Sequence, residues 1–154
     1  MWGKQSSDFH RGKECEQKFI DACTKAGKSA TPSTKSTDIN HHIDVWVDGV
    51  GVDVKSERTD GFIWAELKNV QGKPGWMFGR ADYFAFEDLG RGCFVIVRAD
   101  LFRMLVLRNV TYGVFVQSSK DALYQLYQRE GRKDVITKIH KADLYKIKNY
   151  LLFW

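Results

Sequence analysis

The stretch Ile43-Asp44-Val45-Trp46-Val47-Asp48-Gly49-Val50-Gly51-Val52-Asp53-Val54-Lys55 reads as a β-hairpin. Asp48-Gly49 is the dipeptide that a two-residue type I′ turn prefers, because both central residues need a positive φ. Ile43, Val45 and Val47 alternate onto one face, as do Val50, Val52 and Val54. The turn sets Val47 opposite Val50, so Asp44 faces Asp53 on the side away from the valines, and Lys55 joins them two residues on. Like charges opposed across a sheet are destabilising. Either the aspartates face water on an exposed hairpin, or a cation lies between them. Cβ atoms about 4.5–5.5 Å apart let two carboxylates share one Mg²⁺. Lys55 is then placed to position a nucleophilic water or to stabilise charge on a phosphorane-like transition state.

Upstream, residues 9–27 read as a helix that stops at Ala26-Gly27. At about 100° per residue, Gly12, Cys15, Phe19, Ile20, Ala22, Cys23 and Ala26 fall on one arc. Glu16 is the charged residue inside that arc. Burying a carboxylate is costly unless it is paired or holds a metal, so Glu16 either takes a bond from a nearby cation at the helix edge or points into a site. Ser29 to Ser33 reads as a short edge strand before the hairpin.

Downstream, residues 62–70 form a further strand in which Trp64, Glu66 and Lys68 share a face, a second carboxylate-x-lysine unit. Depending on the turn, Glu66 faces Asp53 or Lys55. Segment 76–87 reads as helical, 93–97 as a buried-type strand and 102–107 as another strand. Ser118-Ser119-Lys120-Asp121 opens a helix to about Arg129, and 135–154 is ambiguous. The whole is a mixed α/β domain with antiparallel early strands.

The chain has 154 residues, enough for one domain. Its apolar runs are far shorter than the roughly 18 residues of a membrane span. Nothing near Met1 suggests export, so the protein is expected in the cytoplasm and away from membranes. Cys15, Cys23 and Cys93 are odd in number and widely spaced, which argues for core packing over a disulfide or zinc framework. His41 and His42 lack a second His/Cys cluster and read as strand-capping or surface residues. The net charge of +5 is uneven: residues 1–100 carry 14 Lys/Arg against 15 Asp/Glu, and residues 101–154 carry 10 against 4. A basic surface of this kind attracts polyanions such as nucleic acid.

Over residues 10–98 these parts resemble, in order, the PD-(D/E)XK nuclease superfamily, and within it the archaeal-type Holliday junction resolvases and phage-type endonucleases. Gly12-Lys13-Glu14-Cys15-Glu16 is similar to the resolvases' Gly-x-x-x-Glu opening. Ile43-Asp44 is similar to the strand-borne acidic motif, with Ile43 in place of the usual proline, and Asp53-Val54-Lys55 to the (D/E)-x-K motif. The resemblance implies a single nuclease-like domain over residues 1–154 with a restriction-endonuclease-like mixed sheet flanked by helices. It implies a Mg²⁺-dependent endodeoxyribonuclease, with Mn²⁺ able to substitute, acting in DNA recombination or repair in a prokaryotic or phage-infected cell. Asp44, Asp53 and Lys55 are the catalytic set, with Glu66 and Lys68 as second choice; Asp44, Asp53 and Glu16 hold the metal. DNA, branched DNA included, is the partner, and a homodimer the working form. Lys73, Arg80, Lys120, Arg129, Arg132 and Lys133 are the candidate DNA contacts. Residues 72–83 have no resolvase counterpart, and Trp76, Phe78 and Phe84 there shape a DNA-facing loop or enter the core. The alternative is a non-catalytic nucleic-acid-binding module on a nuclease-like fold.

Overall fold

Asp48 and Gly49 adopt φ of 47° and 82°, the positive pair a type I′ turn requires. The hairpin they close has Val47 opposite Val50 and Val45 opposite Val52. The computed structural model describes residues 2–154, with side chains for 10–38 and 41–154. In chain order the elements are α1 (Trp2–Lys25), β1 (Ala30–Pro32), α2 (Lys35–His41), β2 (Val45–Val47), β3 (Val50–Lys55) and β4 (Phe62–Lys68). A 3₁₀ turn at Trp76–Phe78 comes next, then β5 (Tyr83–Asp88), β6 (Cys93–Arg98), α3 (Ala99–Asn109), β7 (Thr111–Val116) and β8 (Gln125–Tyr127). β9 (Val135–His140) and β10 (Tyr150–Phe153) complete a mixed α/β chain. No helix among the described residues is long and apolar enough to cross a membrane.

The chain divides into two compact units. The first comprises Met1–Glu57, Arg80–Arg98 and Asn149–Trp154. Its six-stranded sheet has the order β1-β2-β3-β5-β6-β10 and is antiparallel except between β3 and β5. β1, at its edge, is the short strand expected between Ser29 and Ser33. α1 ends in a Schellman motif: Gly27 has φ 81°, its N–H donates to Thr24 O, and Lys28 N–H donates to Cys23 O. The helix buries Cys15, Phe19 and Cys23 against Val45, Val52, Val54, Ala85 and Phe94. Each buried Val or Phe among them contributes about 1.5–3 kcal/mol. Phe19 meets the Phe94 ring edge-on at 5.2 Å. Lys18 binds buried Glu87 and lies 3.7 Å over the Trp154 ring.

The second unit comprises Arg58–Gly79 and Ala99–Lys148, with a four-stranded sheet ordered β4-β9-β8-β7. Ala65, Thr137 and Ile139 are fully buried on one face. Arg103 donates to the carbonyls of Met77 and Gly79 at 2.5 and 2.9 Å, and Trp76 stacks on Phe102 at 5.7 Å.

Several expected elements differ. Within 76–87 only Trp76–Phe78 is helical, and Tyr83–Asp88 is a strand. Phe84, Ala85 and Phe86 are all buried, and a strand covered on both faces shows no alternation to distinguish it from a buried helix. Segment 102–107 lies in α3, not a strand: buried Phe102 and Val106 are spaced i, i+4. The helix expected from Ser118 is one 3₁₀ turn, Ser119–Asp121, whose Ser118 hydroxyl accepts from Lys120 N–H, followed by β8.

Candidate functional site

β3 carries Asp53 and Lys55 on the face opposite its valines, beside Phe84 and Phe86 of β5. Lys55 Nζ lies 3.2 Å from Asp53 Oδ1. Asp53 is 1% exposed, and its Oδ2 is buried with no hydrogen-bond partner among the described residues. Asp44 immediately precedes β2, between buried Ile43 and Val45. Its N–H donates to Val52 O, and its Oδ2 accepts Val54 N–H at 2.7 Å. Glu16 of α1, 16% exposed at its side chain, pairs with Lys13 at 3.2 Å.

A fourth carboxylate completes the group. Asp38, in α2, brings its carboxylate beside that of Asp44. Glu16, Asp38 and Asp44 each place a carboxylate oxygen within 4.8 Å of the others. No sequence spacing marks Asp38. The short helix α2, capped by the Thr34 hydroxyl on Thr37 N–H, is what brings it to Asp44. His42, the C-cap of α2, has φ 57°, and His41 O accepts Arg80 N–H.

The electrostatics of the group are unfavourable without a counter-charge. Burial, then the neighbouring Asp53 carboxylate, push Asp44 well above the usual aspartate range. Burial also raises Asp53, against the pull of Lys55, and raises Glu16, against Lys13. An orphaned carboxylate oxygen beside three further acids, all hard oxygen donors, fits a divalent cation such as Mg²⁺ or Mn²⁺.

Glu66 and Lys68 lie apart from this group in sequence register and in sheet. β4 pairs with β9, placing Glu66 opposite Ile136, so Glu66 faces neither Asp53 nor Lys55. The reason is that β3 has only two edges, and β2 and β5 occupy both. Glu66 Oε1 accepts Trp76 N–H at 3.2 Å, while Lys68 is exposed.

Of the candidate DNA contacts, Arg80 belongs to the first unit and Lys73, Lys120, Arg129, Arg132 and Lys133 to the second. Arg129 Nε is engaged with fully buried Asp134 at 2.6 Å. Phe84 is core, whereas Phe78 is exposed. The charge asymmetry tracks the units: the first carries 11 Lys/Arg against 12 Asp/Glu, the second 13 against 7. No family model, no curated protein and no solved structure matches the chain.

Proposed function

We propose that this protein is a Mg²⁺-dependent endonuclease hydrolysing DNA phosphodiesters on a restriction-endonuclease-like core. The observation that carries the reading is the cluster of Glu16, Asp38 and Asp44, with the Asp53 carboxylate neighbouring Asp44 and its buried Oδ2 unpartnered among the described residues. Four carboxylates are an arrangement that a fold does not favour for its own stability. The four acids hold the cation, with Asp44 and Asp53 as its principal ligands. When bound, Mg²⁺ polarises a phosphoryl oxygen and lowers the pKa of water. The Lys55 ammonium, 3.2 Å from Asp53 Oδ1, holds the nucleophilic water and offsets negative charge growing on the phosphate. Basic side chains of the second unit neutralise DNA phosphates. The resolvase likeness extends the proposal to branched DNA, a homodimer and a cytoplasmic role in recombination or repair.

Asp53→Asn tests it, on a panel of linear, nicked, flapped and four-way DNA with Mg²⁺ or Mn²⁺. Cleavage falls by about 100-fold or more while the circular dichroism spectrum is kept. Undiminished cleavage refutes the assignment. Lys55→Ala costs far more activity than Lys68→Ala. A second reading, a non-catalytic nucleic-acid-binding module, draws on the charge surplus of the second unit; binding without cleavage of any substrate in the panel selects it.

A further inference from the structure

We propose that the second unit binds single-stranded DNA by stacking unpaired bases on the outer face of its β4-β9-β8 sheet. β4 and β9 pair Phe62 with His140 and Trp64 with Lys138, and β8 sets Tyr127 opposite Ile136. Side chains alternate with period two, so Phe62, Trp64, Lys138, His140 and Tyr127 share one face. The opposite face supplies the core through Ala65, Thr137 and Ile139. His140 is exposed, and Phe62, Trp64, Lys138 and Tyr127 are partly exposed.

The five side chains form a continuous row. Phe62 and His140 stack at 5.3 Å with 30° between their planes, and Trp64 lies 6.4 Å from Tyr127. Lys138 Nζ sits 4.8 Å from the Phe62 centroid and 5.6 Å from that of Trp64, and also donates to Ser119 O. The acid on this face, Glu66, is tied to Trp76 N–H.

Aromatic rings interleaved with a cation meet both features of a nucleic-acid strand: flat bases stack on the rings, and phosphates attract the ammonium. A purely apolar partner gains nothing from Lys138 at the centre. The unit's surplus of 13 Lys/Arg over 7 Asp/Glu complements a polyanion. A duplex hides its base faces within the stack, so the rings select an unpaired strand. The choice of DNA over RNA rests on the endonuclease reading.

The test uses the full chain in EDTA, where no Mg²⁺-dependent cleavage occurs, and fluorescence anisotropy of labelled oligo(dT) of about 20 nucleotides. Duplex of the same length and oligo(rU) are the comparison probes. Oligo(dT) is bound about 10-fold or more tighter than duplex. Trp64→Ala weakens it by about 5- to 100-fold, and Trp64→Phe keeps most of the affinity. Lys138→Ala lowers the slope of log affinity against log salt by about 0.7. If Trp64→Ala fails to fold, exposed His140→Ala and Lys138→Ala decide the matter. Unchanged affinity in the folded variants overturns the proposal, as does duplex bound as tightly as oligo(dT) or oligo(rU) bound more tightly. Because cleavage plays no part, these outcomes are independent of the Asp53→Asn result.

Discussion

Asp53 holds two carboxylate oxygens with opposite circumstances: Oδ1 faces the Lys55 ammonium, and Oδ2 is buried without a partner among the described residues. With Asp44 beside it, the pair stores unfavourable electrostatic energy. Both aspartates are raised above the usual range by burial, whereas an unfolded aspartate titrates near about 3.9. Below that pH both states are protonated and the pair costs nothing. As pH rises above it, the unfolded chain releases protons that the folded one retains, so stability falls with rising pH until the folded groups ionise. Each retained proton costs about 1.4 kcal/mol per pH unit. Chelator-treated protein is therefore expected to lose thermal stability between pH 5 and pH 8. Asp44→Asn flattens that dependence and is more stable than the unsubstituted protein at pH 8, as differential scanning fluorimetry checks. A wild-type slope left intact in Asp44→Asn contradicts the repulsion. Asp53 and Asp44 were legible because a hairpin turn and a period of two place them; Asp38 was not, because its proximity to Asp44 depends on how α2 packs.

At the scale of elements, the hairpin and the buried face of α1 arise from local chemistry, and the strands around them from competition for edges. β4 has the alternation expected of it, yet it leaves the β3 sheet because β5 takes the remaining edge of β3 in parallel register, Asp53 beside Phe84. The loop after β4 folds back closely onto the strand. Gly75 N–H donates to Leu67 O at 2.9 Å, and a Cβ on Gly75 would lie 2.2 Å from Glu66 O. That contact is with backbone, so no rotamer relieves it. Gly75→Ala is expected to cost about 1–3 kcal/mol or more, seen as a lower urea midpoint. Gly12→Ala, on α1 with nothing within 4 Å of its Cβ, changes stability in the opposite sense, by up to about 1 kcal/mol. Equal losses at the two glycines argue against the Gly75 packing. The misread elements share one cause: β5 is buried on both faces and so shows no alternation, and the short apolar run 102–107 of α3 does not by itself separate a helical period from a strand period.

Across the whole molecule, the basic surplus lies in the second unit while the first is nearly balanced, and a division at residue 100 only approximates that boundary because the second unit begins at Arg58 and the first resumes at Arg80. The separation gives a test of independence. Asp44→Asn is expected to abolish Mg²⁺-induced thermal stabilisation and leave DNA binding in EDTA unchanged. Arg132→Ala/Lys133→Ala does the reverse, lowering the salt slope of DNA binding by about 1.4–1.8 while the Mg²⁺ effect persists. Loss of both properties in either variant argues against the division. The sequence by itself determined the Asp48-Gly49 hairpin, the buried arc of α1, the misplaced acid Glu16 and the face shared by Asp53 and Lys55. All of these depend on residues within one element or one turn, where backbone geometry sets the spacing. Only the tertiary structure decided that Asp38 joins the acids, that Glu66 and Lys68 lie in a second sheet, and that Phe62, Trp64, Lys138, His140 and Tyr127 line one face. These depend on which strand edges and helix faces remain open once others are paired, and that competition is settled by packing between segments distant in the chain.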